Sequence, residues 1–290
     1  MTAPITTAPI TTALITIAHG RHAHLTEQVR HVDRGSSRPD HHVVVAMGDE
    51  SIRPLLADHP GVDVIDLAAD PAALPLAAAR NLGAQIALEH GADTLIFLDV
   101  DCLPGIDLVQ RYAQVTGAVA NEPQLWCGPV HYLPPLTTGR PGYDDGDLLA
   151  SHPHPARPAP ARGELIREPR LELFWSLSFA ISALHWRQLG GFCENYVGYG
   201  AEDTDFARTA DAAGGVMTWV GGATAYHQYH PTSSPPVQHL TDIVRNANLF
   251  HRRWGEYPML GWLAEFQARG LAGRDPHTGN WEVTPNASPH

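Results

Sequence analysis

Two aspartates two positions apart, Asp99 and Asp101, follow directly on the apolar run Thr94–Leu98. If the chain is extended there, alternate side chains point the same way, and both carboxylates project past a strand end. Such a pair suits a hard divalent cation that keeps open positions for phosphate oxygens. A solvated acidic turn is the plainer alternative, but a buried strand before the pair and Leu103-Pro104 after it favour a site. A second constellation is Gly198-Tyr199-Gly200-Ala201-Glu202-Asp203-Thr204-Asp205. Its glycines let backbone approach a ligand closely, and its carboxylates fall on the first turn of a helix, where the dipole favours their ionised form. Glu202 and Asp203 read as ligand-facing; Asp205 reads as ordinary acidic capping. The third is His227 with His230, where an imidazole at a strand end could complete a metal site already holding carboxylate.

These groups need elements to position them. Ala13–Ala18, His42–Ala46, Val62–Asp66 and Thr94–Leu98 are short, near-continuously apolar runs that read as strands. Helical spacing over His24–Arg34 and Leu74–His90 separates them, with Gly91 as a stop. Strands alternating with helices predict an α/β fold with a mixed, mainly parallel central sheet flanked by helices. Ligands in such sheets sit beyond the carboxyl ends of strands. Gly20-Arg21, Asp49 and Asp99-Val100-Asp101 stand at those ends. Further on, Trp175–Ser182, Val216–Val220 and Ala223–His227 read as strands. A helix starts at Asp203, and the apolar 3–4 spacing of 237–254 predicts an amphipathic one. Residues 133–163, rich in proline and glycine, read as a mobile loop over the site.

The expected organisation is a single domain over 12–270: a nucleotide-binding half (12–132), the loop (133–163) and an acceptor half (164–270). Residues 1–11, where Thr-Ala-Pro-Ile-Thr occurs twice, read as a disordered tail, and 271–290 as a loose one. The formal charge is −12, and all 19 basic residues are Arg. That balance argues against a nucleic-acid binder. A bound cation could still supply local positive charge for a nucleotide. The three cysteines form no CxxC pair, which points to a reducing compartment. With no signal-peptide pattern and no apolar span, the expectation is a cytoplasmic protein without a membrane segment.

Several segments together resemble the β-1,4-galactosyltransferase and chondroitin-polymerase branch of the GT-A (Rossmann-like) glycosyltransferases. They are His19-Gly20-Arg21-His22-Ala23-His24-Leu25, Ala79-Arg80-Asn81-Leu82-Gly83, Phe97-Leu98-Asp99-Val100-Asp101-Cys102-Leu103-Pro104, Gly190-Gly191-Phe192 through Gly198-Tyr199-Gly200-Ala201-Glu202-Asp203, and Tyr226-His227-Gln228. They occur in the family's order over roughly residues 13–230, which is more specific than any single motif. The resemblance implies a metal-dependent, inverting transferase that moves a sugar from a UDP-sugar to a carbohydrate or other hydroxyl acceptor. Asp101 and His227 would hold Mn²⁺ or Mg²⁺, with Asp99 near the ribose and in the metal shell. Arg21, Asp49 and Arg80 would contact the nucleotide. Asp203 would be the general base, with Glu202 beside it. Tyr199 stands where the family usually has Trp, at the nucleotide-sugar and acceptor side. The alternatives are a catalytically silent nucleotide-sugar binder and a haloacid-dehalogenase-like phosphatase, whose nucleophile motif is also a strand followed by D-x-D.

Overall fold

The computed structural model describes residues 10–118 and 120–285. The first half alternates as the apolar runs predict: β1 (Thr12–Ala18), α1 (His22–Asp33), β2 (His41–Met47), the single turn α2 (Ile52–Leu55), β3 (Val62–Leu67), α3 (Leu76–Glu89) and β4 (Thr94–Leu98). After them come β5 (Cys102–Pro104), α4 (Leu108–Thr116), β6 (Gln124–Cys127), β7 (Val130–Tyr132), α5 (Asp145–Ala150), β8 (His152–Pro153), β9 (Leu165–Glu168), β10 (Ser178–Ser182) and α6 (Ala183–Leu189). The chain continues with α7 (Glu202–Ala212), β11 (Val216–Val220), β12 (Ala225–His227), α8 (Leu240–Trp254), α9 (Leu260–Ala268), β13 (Ala272–Arg274) and β14 (Trp281–Val283).

Eight strands form the central sheet in the order β3-β2-β1-β4-β10-β6-β11-β9. β3, β2, β1 and β4 run parallel, β10 and β9 run against their neighbours, and β6 and β11 are parallel to each other. Strands β1 and β4 are buried along their whole length, which is why they read as unbroken apolar runs rather than alternating ones. One face packs Phe97, Phe179, Trp186, Phe192 and Phe206 into an aromatic core, with Phe97 and Phe179 stacked at 4.6 Å. The other carries Leu14, Ile96 and Tyr112. A second, four-stranded sheet in the order β5-β12-β7-β8 stands at the carboxyl ends of the large one.

Three expectations change. Residues 133–163 contain α5, closed by an Asp144–Asp147 capping box, and the short strand β8. Within that stretch Tyr143 and Arg157 are buried, so a proline- and glycine-rich composition conceals a segment whose few large side chains dock inward. Of the expected loose tail 271–290, residues 286–290 lie outside the described residues, and the part before them instead carries the β13–β14 hairpin, whose Ala272 and Trp281 are buried among the side chains of α8 and α9. Of the expected tail 1–11, residues 1–9 lie outside the described residues. Thr11 is tied down: its N–H donates to the Asp93 carboxylate and its carbonyl accepts from Asp93 and Thr94. No helix among the described residues is long and apolar enough to cross a membrane.

Candidate active site at the sheet rim

The Asp99–Asp101 segment is a turn rather than an extended strand end, since the Cys102 N–H donates to the Asp99 carbonyl at 2.8 Å. The turn is pinned from α1 by Gln28, whose amide donates to the carbonyls of Asp99 (2.7 Å) and Cys102 (2.9 Å). Thr16 on β1 orients that amide through its oxygen. The two carboxylates therefore part, and alternation along a strand does not describe them.

Asp101 turns toward β12. That strand pairs antiparallel with β5, setting His227 opposite Cys102, and the Gln228 N–H donates to the Asp101 carbonyl at 2.7 Å. The Asp101 carboxylate then lies 3.6 Å from His227 Nε2 and 3.2 Å from His230 Nε2. One ligand atom from each of the three falls within 4.8 Å of the others. One carboxylate oxygen and two imidazole nitrogens fit a first-row divalent cation. Burial lowers the pKa of His227, which favours the neutral ring that ligates metal. Burial alone would raise Asp101, but the hydrogen bond from His230 and the neighbouring imidazoles outweigh it and hold the acid below its usual range. The sequence left His227 and His230 as alternatives for the cation; the fold brings both to Asp101.

Asp99 turns the other way. Its carboxylate meets Arg80 Nη2 at 3.1 Å, while Arg80 Nη1 meets Glu202 at 3.1 Å. Arg80 is buried on α3 with its charge divided between the end of β4 and the start of α7, so it braces the rim instead of lying open to solvent. Asp99 stands outside the Asp101–histidine group among the described residues. Burial pushes the Asp99 carboxyl up to about 6 against the pull of Arg80. Next on α7, burial and then the Glu202 charge push Asp203 up to about 7. Asp205, read as a cap, is instead a fully buried acceptor for Tyr196 (3.0 Å), Arg253 (2.7 Å) and Trp254 (2.7 Å), and ties α7 to the end of α8.

The Gly198-Tyr199-Gly200 loop is held from α8. The buried Asn246 amide donates to the carbonyls of Val197, Tyr199 and Gly200, and Asp242 accepts from the Tyr199 N–H. Gly198 is favoured, because its φ is +70° and a Cβ there would fall 2.2 Å from the Asp242 carboxylate, which would have to move. Ala201 takes φ 75° directly before Glu202, a left-handed conformation that a non-glycine residue adopts only under strain. Tyr199 is 39% exposed, stacks on His239 at 4.5 Å and has Trp262 at 6.1 Å. Gly191-Phe192 is fixed in turn by Asn81, which both donates to and accepts from the Phe192 backbone.

Of the residues expected at the nucleotide, Arg21 is exposed in a left-handed conformation, close enough for its charge to act on Asp101. Asp49 is occupied within the protein: hydrogen bonds from Ser51, His22 and the Gly20 N–H hold it well below the usual carboxylate range and close the turn that carries Arg21. Gln28, Asp242 and Asn246 escape sequence reasoning. Gln28 sits among the apolar positions of α1, and the two α8 residues carry no motif.

Residues 169–231 match the family described as the N-terminal domain of galactosyltransferase. Among solved structures, GalNAc-T7 with UDP, GalNAc and Mn²⁺ aligns with a TM-score of 0.59 at 19% identity, over 82% of this chain and 48% of that one. S. aureus TarS 1-349 in complex with UDP aligns with a TM-score of 0.54 at 13% identity, over 90% of this chain and 78% of that one. The fold is that of the GT-A glycosyltransferases. The chain spans about half the length of GalNAc-T7. No curated protein matches the sequence. The family match begins just after β9 and ends just past His230, so it takes in Asp203 and both histidines, while β1 to β5 enter through the GT-A fold alone.

Proposed function

We propose that this chain moves a sugar from a UDP-sugar to a hydroxyl of a carbohydrate or similar acceptor, with inversion at the anomeric carbon and with a divalent cation. One observation carries the reading. A carboxylate–bis-imidazole ligand set and a carboxyl pushed to near neutrality stand on one rim of the sheet, coupled through the Asp99–Arg80–Glu202 bridge. Asp101, His227 and His230 would hold the cation, and their two nitrogens suit Mn²⁺ better than Mg²⁺. When bound, it offsets the charge that develops on the departing nucleotide.

The chain's own residues supply the rest. Asp203 takes the proton of the attacking acceptor hydroxyl, a task for which a pKa near the working pH is best. Glu202 supports that role by raising Asp203 and by holding Arg80, so it acts as a positioning residue. Asp99 keeps Arg80 aligned at the nucleotide end of the rim. Arg21 meets the nucleotide, and Asp49 acts through it by fixing the turn. Tyr199 offers its ring to the acceptor. Three cysteines without a disulfide are consistent with a cytoplasmic setting. The GT-A fold supports transfer over the phosphatase alternative.

The test is UDP release from a panel of UDP-sugars with and without Mn²⁺, across a broad set of acceptors. Mn²⁺-dependent release that needs an acceptor supports transfer. Binding of UDP and Mn²⁺ without turnover on any acceptor would favour the silent binder.

A further inference from the structure

Arg157, in the segment between β8 and β9, is 7% exposed, and its Nε and Nη1 have no hydrogen-bond partner among the described residues. Its guanidinium lies 4.8 Å from the Trp175 ring and 4.6 Å from the Trp219 ring. Cation–π contact offsets part of the cost of burying a charge, but it leaves the N–H groups unsatisfied. Glu168, whose carboxylate accepts from Trp219 Nε1, is itself bound on both oxygens by Arg170. The ionisable groups that act on Arg157 or are acted on by it are Tyr112, Tyr132, Cys102, Cys127 and His154, and none of them is a carboxylate. A buried cation with no anionic partner among the described residues is costly. Its natural complement is an oxyanion that arrives from outside.

The position points to the same rim. The Asp99 N–H donates to the Leu177 carbonyl, which sets Trp175, two residues earlier, beside the end of β4. Tyr132 stacks on His227 at 5.0 Å and touches His154 at 5.8 Å, and His154 meets Trp175 edge-on at 4.9 Å. A continuous aromatic wall therefore runs from the cation ligand set to the two indoles that hold Arg157. We infer that Arg157 is an anion-recognition residue of this site, binding an oxyanion of the nucleotide-sugar donor: a phosphate oxygen or a carboxylate of the sugar. The inference rests on the glycosyl-transfer reading.

The experiment is titration calorimetry in Mn²⁺ with UDP, UDP-glucose and UDP-glucuronate on the full chain, Arg157→Gln and Arg157→Met. If the phosphate is the partner, both variants bind all three ligands at least about tenfold more weakly, the loss expected for a charge-assisted hydrogen bond. If the sugar carboxylate is the partner, the unaltered chain favours UDP-glucuronate over UDP-glucose, and the variants lose that preference while their UDP affinity stays. Apo Arg157→Met should melt no lower than the unaltered chain, because it removes an unpaired charge and keeps the apolar stem. Unchanged binding of all three ligands by folded variants would overturn the inference. So would collapse of both variants, which would make the guanidinium a structural pin between the indoles. Failure of the unaltered chain to bind UDP at all would instead remove the transfer reading, and this inference with it.

Discussion

The two sides of the rim use the same residue type to opposite ends. On the β5–β12 side, Asp101 is surrounded by imidazoles, and its carboxyl is held below the usual range although it is largely buried. On the α7 side, Asp203 is packed beside another carboxylate and is pushed up to about 7. Asp99, only two residues from Asp101, follows the α7 pattern and rises to about 6. Neighbours in space decide whether an aspartate is a permanent anion that can hold a cation or a group that can accept a proton near neutrality. The Asp99–Cys102 turn makes that division possible by sending the two carboxylates to different partners.

The largest expected effect breaks the α7 side alone. Asp203→Asn should lower kcat by about 10²–10⁴-fold, the size of a lost general base, with UDP and Mn²⁺ binding unchanged by calorimetry. Comparable turnover in that variant would end its assignment as base. The metal side should fail in the converse way. Asp101→Ala should weaken Mn²⁺-dependent UDP binding by at least about 10–100-fold. His227→Ala and His230→Ala each weaken it if both imidazoles ligate; if one of them binds as the unaltered chain does, the ligand set shrinks to a single histidine.

Arg80→Lys sharpens the link between the sides. Lys keeps the charge but has one nitrogen where Arg80 uses two, so it cannot reproduce both bonds to Asp99 and Glu202 in their geometry, and kcat should drop about tenfold with the metal titration unmoved. The pH profile separates this from simple loosening. Activity should rise with pH through about 7 as Asp203 loses its proton. With one bond to Glu202 lost, the midpoint in Arg80→Lys should move upward.

The smallest effect is on stability. Asp203 ionises near its ordinary value when unfolded but only near 7 when folded, so ionisation destabilises the fold as pH rises from about 4 through 7. Asp203→Asn should therefore melt a few degrees higher than the unaltered chain at pH 8, and the gain should vanish near pH 4. A gain that is constant with pH would show that the carboxyl is not perturbed.

Much of this molecule is determined locally. Unbroken apolar runs with helices between them suffice for β1, β2 and β4, because a strand buried on both faces has no polar side to show, while the edge strand β3 shows it in its exposed aspartates. Thr94–Leu98 and Val216–Val220 match their strands to the residue. The D-x-D pair, Glu202-Asp203 and the two histidines are visible because ionisable groups at the ends of apolar runs stand out in any sequence. Other features needed the third dimension. Gln28 and Asn246 act through backbone carbonyls 46 to 74 residues away, and a hydrogen bond to a carbonyl demands no particular residue at its far end. The opposite shifts of Asp99 and Asp101 arise from Arg80 on α3 and from the histidines at the end of β12, which the sheet order brings to one rim. The sequence by itself determined which residues could carry charge and which strands must be buried. Tertiary structure decided which charges meet, because a pKa depends on the dielectric and the charges within a few ångströms, and those are set by packing rather than by chain position.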